Sequence, residues 1–128
     1  MFNFRIVTLV VTLAISAAAL AVAPLASAKD GDSVRARGVC TKSSTANLKL
    51  SHEDGRIEVE FEVDQNRTGV PWKVTLRRSG SLVASATATT RAPSGSFSLR
   101  RVISGSHGTV VAEATRASGE HCTAHAAI

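Results

Sequence analysis

Hydrophobic and polar residues alternate along much of the chain, and the alternation is clearest between Arg56 and Val63. In this stretch every second residue is apolar, and three glutamates occupy positions between them. A period of two is typical of a β-strand with one buried face and one solvated face. After residue 28 no apolar stripe at helical spacing persists for three turns. The pattern therefore predicts an all-β protein.

Turn residues divide the remaining chain into short alternating segments. Asp54-Gly55 and Ser79-Gly80-Ser81 are typical of tight hairpins. Seven or eight strands in about one hundred residues predict an antiparallel β-sandwich of immunoglobulin-like architecture, with a small barrel as the alternative. Val102 is out of phase with the apolar residues before it, which predicts a bulge or bend near Arg100-Arg101. The expected strands are 34–40, 46–51, 56–63, 71–77, 82–90, 96–103, 109–115 and 121–127.

The N-terminal segment has the composition of a secretory signal peptide. A short positive region contains Arg5, residues 6–22 are almost wholly apolar, and Ala26-Ser27-Ala28 offers the small residues that precede a cleavage site. Residues 1–28 are therefore predicted to be a signal peptide and residues 29–128 a single domain that is secreted. An uncleaved membrane anchor is the alternative, although the run is shorter than the ~20 residues of a spanning helix.

Two cysteines, Cys40 and Cys122, remain near the two ends of the mature chain. In an exported protein such a pair most simply forms one disulfide bond. Two free thiols or an intermolecular bridge are the alternatives. The order Cys40, Trp72, Cys122 is that of an immunoglobulin domain, but the first gap is too long for a true member. Only the architecture is therefore expected to be shared.

Several segments resemble a group of small exported actinobacterial proteins with one cysteine pair and a β-sandwich-like strand pattern. The resemblance spans most of the mature chain and implies no function, because its motifs are turns, strands and cysteines. The segments that carry it are 38–40, 48–63, 90–97 and 118–122, with the sequences GVC, LKLSHEDGRIEVEFEV, TRAPSGSF and SGEHC.

The three glutamates of the clearest strand, Glu58, Glu60 and Glu62, raise the question of catalysis. Residues two apart on a strand lie ~6.6–6.8 Å apart on one face, a spacing that a pair of catalytic carboxylates could use. A catalytic acid also needs burial to raise its pKa, whereas this face is predicted to be solvated. If the next strand pairs with this one, Lys73 and Arg77 would lie beside the glutamates. The pattern therefore favours a charged outer face.

Other catalytic and metal-binding patterns are weak. His121 and His125 share a strand face at a separation of ~13 Å, too far to hold one ion. Ser106-His107 lies in a glycine-containing loop, without the strand–turn–helix setting of a nucleophilic serine. We therefore predict no catalytic residue, no metal site and no cofactor, and we expect that the protein is not an enzyme.

The basic residues leave a binding role open. The chain has 15 lysines and arginines against 10 acidic residues, a formal net charge of +5, and signal cleavage removes only Arg5 from this balance. The mature chain has only three aromatic residues, Phe61, Trp72 and Phe97, all on predicted inward faces, so stacking on nucleic acid is not expected. The candidates for binding an anionic cell-wall polymer or an acidic protein are Arg77, Arg78, Arg91, Arg100 and Arg101.

The sequence alone predicts no specific activity. It favours an exported, non-catalytic β-sandwich that acts as a binding or interaction module. The alternative is electrostatic binding of anionic cell-envelope polymers through the surface arginines. The expected partner is a cell-wall polymer or an extracellular protein, with no nucleic acid and no membrane after signal cleavage.

Overall fold

A computed structural model describes residues 33–128, and the predicted signal peptide, residues 1–28, lies outside them. Nine strands account for most of the described chain. Between residues 33 and 128 we find no helix of the length and apolar character needed to cross a membrane. The strands are β1 (Ser33–Arg37), β2 (Val39–Cys40), β3 (Thr45–Glu53), β4 (Arg56–Asp64), β5 (Pro71–Arg78), β6 (Ser81–Thr89), β7 (Ser96–Ile103), β8 (Thr109–Arg116) and β9 (His121–Ala127).

The strands form two antiparallel sheets that pack face to face. Sheet A has the order β1-β3-β4-β7, and sheet B has the order β2-β9-β8-β5-β6. Both sheets are open at two edges, so the predicted β-sandwich is confirmed and the small barrel is not formed. Apolar side chains at alternate positions of the strands pack against each other between the two sheets. Phe61, Trp72 and Phe97 are buried there as predicted, with ring centroids 6.1 Å apart for Trp72 and Phe97.

The first predicted strand, 34–40, is divided by Gly38 into β1 and β2, which belong to different sheets. The Gly38 amide donates a hydrogen bond of 2.8 Å to the carbonyl oxygen of Ala46. A Cβ atom at position 38 would lie 2.8 Å from the carbonyl oxygen of Thr123 and 2.9 Å from Ala46 Cβ. The chain thus passes from sheet A to sheet B where only glycine fits.

The predicted disulfide bond is present and joins Cys40 to Cys122. The two cysteines lie directly opposite each other on β2 and β9, neighbouring strands of sheet B. In an immunoglobulin domain the corresponding bond connects the two sheets. The likeness to that class is therefore confined to the layered architecture.

The bulge predicted near Arg100-Arg101 is absent, because β4 and β7 pair in an unbroken register. Val102 is 41% exposed and faces solvent on the outer side of sheet A. Arg101 is in phase with the inward-facing residues Leu99 and Ile103. It is nevertheless exposed, because β7 is an edge strand. The irregular register lies elsewhere, between Leu76 and Arg77 in the β5–β6 pair.

Candidate functional site

A polar cleft of about 530 Å³ lies at the end of the sandwich where β3 begins and β4 ends. Three separate parts of the chain line it: the turn before and start of β3, the loop after β4, and the end of β8. The lining residues are Ser43, Thr45, Asp64, Gln65, Asn66, Arg67 and Arg116.

Arg116 is the most firmly positioned side chain of this cleft. Its Nε donates a hydrogen bond of 3.0 Å to Oε1 of Glu120, and its guanidinium carbon lies 5.7 Å from the centroid of the Trp72 ring. The side chain is 20% exposed. Within residues 33–128 its terminal nitrogens make no hydrogen bond. Arg116 therefore offers a preorganised pair of donor groups at the cleft.

Glu120 supports Arg116 from beneath the cleft and is 1% exposed. Its carboxylate accepts hydrogen bonds from the Ser44 hydroxyl at 2.9 Å and from the Ser44 amide at 3.2 Å. Burial acts to raise the pKa of Glu120, but these bonds and the nearby Arg116 outweigh it and hold the pKa below its ordinary value. Glu120 is thus a buried, ionised anchor for Arg116 and for the turn that contains Ser44.

The loop after β4 is held in place mainly by Thr90, which is buried. The Thr90 hydroxyl donates a hydrogen bond of 2.6 Å to the carbonyl oxygen of Arg67 and accepts one of 2.9 Å from the amide of Val70. Gln65 accepts a hydrogen bond of 3.1 Å from Nε1 of Trp72. Gly95 has φ +72°, and a Cβ atom there would clash with the main chain of Arg67. The loop that lines the cleft is therefore held in place by hydrogen bonds and by close packing against the neighbouring chain.

A second, largely apolar groove of about 370 Å³ adjoins the cleft. Arg116 lines both, so the polar cleft and the apolar groove meet at this residue. The other groove residues come from β5, from β6, and from the end of β8 and the residue that follows it. They are Pro71, Trp72, Lys73, Thr87, Thr115 and Ala117.

Sequence reasoning did not single out this cleft. The polar run 64–67, directly after a buried strand, was a usable signal, because loops at strand ends commonly carry binding residues. Arg116 and Glu120 are only four residues apart, but the contacts that give them a role, those of Glu120 with Ser44 and of Arg116 with Trp72, come from distant parts of the chain.

The five arginines proposed for polymer binding lie on different parts of the sandwich. Arg77 and Arg78 end β5 in sheet B, whereas Arg100 and Arg101 lie on β7 in sheet A. Arg91 lies in the connection between β6 and β7, where it forms an isolated bridge with Ser96.

Three of these arginines already have side-chain partners within the protein, and Arg101 donates a hydrogen bond of 2.9 Å to the carbonyl oxygen of Arg100. Arg100 lies 3.3 Å from Oε2 of Glu60 and 3.8 Å from Oε1 of Glu58. Arg78 extends beneath the loop between β7 and β8 and donates a hydrogen bond of 3.2 Å to the carbonyl oxygen of His107. Their contribution to polymer binding stays a prediction, and these contacts would compete with it.

The glutamates of β4 lie on the outer face of sheet A, beside bases as expected. The expected neighbour was wrong: β5 belongs to sheet B, and β4 instead pairs with β3 and β7. Glu60 lies opposite Lys49 on one side and Arg100 on the other. The side chains of Glu58 and Glu60 are 21% and 30% exposed. Their arrangement is that of a partly solvated charged face.

The histidines do not converge. His121 and His125 lie on β9, and the rings of His52 and His107 meet edge to face with centroids 5.7 Å apart. In the part of the chain from residue 33 onward, no three potential metal ligands lie close enough to hold one ion.

No known protein family, curated protein or solved structure matches the chain. The resemblance to small exported actinobacterial proteins therefore stays an expectation. The all-β pattern and the single disulfide bond are the parts of it that the structure bears out.

Proposed function

We propose that the protein is an exported, non-catalytic binding module whose ligand enters the cleft beside Arg116. One observation carries this proposal: a buried carboxylate and an indole ring fix Arg116, while its terminal nitrogens make no hydrogen bond within residues 33–128. Fixing a long side chain in advance reduces the entropy lost on binding. The disulfide bond is compatible with an extracellular location, which the predicted signal peptide also favours.

The chemistry of the cleft favours an acidic, hydroxyl-rich polymer of the cell envelope as the ligand. The terminal nitrogens of a guanidinium form paired hydrogen bonds to a carboxylate or phosphate group. Arg67 supplies a second cation in the same cleft, and Ser43 and Thr45 supply hydroxyl groups. Asp64 would repel a densely charged anion but can accept hydrogen bonds from ligand hydroxyls. This mixture suits a polymer on which acidic groups alternate with neutral ones.

The buried carboxylate of this site is a poor candidate for acid catalysis. A general acid at neutral pH needs a raised pKa, whereas the pKa of Glu120 is lowered. Its oxygen atoms are also engaged by Ser44 and by Arg116. The proposed role of Glu120 is to position Arg116.

The experiment is co-sedimentation of the purified mature protein with cell walls of the producing organism across a salt series. Arg67→Ala removes a cleft cation whose side chain makes no hydrogen bond within residues 33–128. Arg77→Ala, on the outer face of sheet B, is the matched control. We expect Arg67→Ala to weaken retention about tenfold, the effect of one charge-assisted hydrogen bond, and Arg77→Ala to change it little.

Two results would contradict this proposal. The first is an absence of retention at low salt. The second is equal weakening by Arg67→Ala and Arg77→Ala, because binding would then depend on overall charge and not on the cleft. Circular dichroism and the melting temperature of each variant establish that the fold is retained.

A second candidate function is general electrostatic attraction of an anionic polymer to surface cations. It is favoured by a basic strip on the outer face of sheet A, formed by Arg35, Arg37 and Lys49. Arg35 lies opposite Lys49 in the β1–β3 register. Within residues 33–128 none of the three forms a salt bridge. The variant Arg35→Ser with Arg37→Ser would weaken wall retention more than Arg67→Ala if this function is correct.

A further inference from the structure

The edges of the two sheets differ in how well they are protected from pairing with another strand. The edge strands are β1 and β7 in sheet A and β2 and β6 in sheet B. An edge strand presents unpaired main-chain donors and acceptors, and proteins commonly block such edges with charges or short strands.

Three of the four edges carry such protection. The β1 edge is five residues long and contains Arg35 and Arg37. The β2 edge has only two residues. The β7 edge contains Arg100 on the outer face and Arg101 in the phase that points toward the other sheet, and an inward-pointing charge on an edge strand opposes pairing.

The β6 edge lacks charged residues, and the irregular register of the β5–β6 pair, between Leu76 and Arg77, affects only its first residues. It is nine residues long, and its sequence SLVASATAT contains no charged residue and no proline. The hairpin and connection that flank it, from Ser79 to Thr90, are uncharged as well. Leu82 is 53% exposed near its start. Length, neutrality and an exposed apolar side chain together are typical of a strand that accepts another strand.

We propose that β6 of a second copy of this chain pairs antiparallel with β6, joining two five-stranded sheets into one of ten strands. A two-fold axis through Ser85, the middle residue of β6, would place Ser85 opposite its own copy and Ala84 opposite Ala86. Such an interface uses the same surface of both copies and brings no like charges together.

The same operation is unfavourable at the other long edges. On β1 a central two-fold axis would place Arg35 opposite its own copy. On β7 it would bring the adjacent Arg100 and Arg101 of both copies close to the axis. Like charges in cross-strand positions are destabilising. The charge pattern of the edges therefore selects β6 as the self-association edge. This inference is independent of the proposed cleft function.

The test is sedimentation equilibrium of the exported, disulfide-bonded protein from about 1 µM to about 1 mM. Ser85→Lys places like charges opposite each other in the proposed dimer, and Ser85 is exposed in the single chain, so the fold tolerates the change. Ser98→Lys, at an exposed position of β7, is the matched control. We expect the unmodified protein and Ser98→Lys to dimerise, and Ser85→Lys to weaken the dimer up to about fivefold.

Mixing provides a second measurement. Ser85→Glu alone should weaken the dimer as Ser85→Lys does, and an equimolar mixture of Ser85→Glu and Ser85→Lys should associate more tightly than either variant alone through opposite charges. A protein that stays monomeric over the whole range overturns the proposal and would leave the edge to a strand of another protein. A dimer that is unaffected by Ser85→Lys, or a mixture that associates no more tightly than either variant alone, overturns it equally.

Discussion

The two ends of the sandwich each hold an arginine against the protein, but they do so differently. At the cleft end Arg116 pairs with the buried carboxylate of Glu120. At the other end Arg78, the last residue of β5, bonds only to the carbonyl oxygen of His107. Its buried Nε has no hydrogen-bond partner among residues 33–128.

The partner of each guanidinium decides what the arginine can do. A buried carboxylate uses Nε of Arg116 and balances its charge, so the terminal nitrogens stay available to a ligand. At the other end the guanidinium lies directly under Gly105, where a side chain would clash with it. Arg78 thus fills space beneath a loop. Both arginines end a strand just before a turn. The comparison teaches that such an arginine can be available to a ligand, as proposed for Arg116, or can fill space within the protein, as Arg78 does.

The largest expected effect tests the disulfide bond that lies near the cleft end. Cys122 follows Glu120 by two residues, and Cys40 precedes the turn that contains Ser44. Cys40→Ser opens a loop spanning 82 positions and should lower the free energy of unfolding by about 4 kcal/mol. Urea unfolding of the variant and of the unmodified protein measures the loss. A midpoint that does not change would show that the bond does not stabilise this end.

Glu120→Ala should have the next largest effect, about 3 kcal/mol, because it leaves Arg116 without its carboxylate and Ser44 without its acceptor. Glu120→Gln keeps the shape and some hydrogen bonding, so we expect a smaller loss. Urea unfolding quantifies both changes. Equal stability of Glu120→Ala and the unmodified protein would mean that the two ends do not differ as proposed.

Acid should weaken the cleft end through the same residue. The folded-state pKa of Glu120 is lowered, so its stabilising contribution is present above the unfolded pKa of about 4.5. That contribution is lost as the pH falls through the lower folded-state value. Melting temperatures between pH 7 and pH 3 should therefore fall more steeply for the unmodified protein than for Glu120→Gln. Parallel curves would contradict this assignment.

The smallest effect is expected at the opposite end. Arg78→Met retains much of the packing volume and removes a buried Nε that has no partner within the described chain. The free energy of unfolding should change by less than about 1 kcal/mol. Amide exchange should become faster in the loop 104–108, where the carbonyl oxygen of His107 loses its donor. A loss as large as that of Glu120→Ala would remove the distinction between the two ends.

Local patterns in the sequence determined the strands, the buried faces and several turns. Alternation along β4 places Phe61 inward because side chains on a strand point to opposite faces in turn. The Asp54-Gly55 hairpin was predictable because both residues adopt positive φ, 47° and 75°, which these residue types tolerate. The disulfide bond was predictable because a chain with a predicted signal peptide and two cysteines has one simple pairing.

Only the tertiary structure decided which strands are neighbours and therefore where a site can form. The connection after β4 crosses to the other sheet, so β5 never pairs with β4, and Gly38 moves the chain between sheets at a place that no local pattern marks. Ser44 and Glu120 are 76 residues apart in the chain yet share a hydrogen bond. Alternation specifies the face on which a side chain lies but not the strand beside it. The cleft, which depends on distant residues meeting, therefore became visible only in the folded protein.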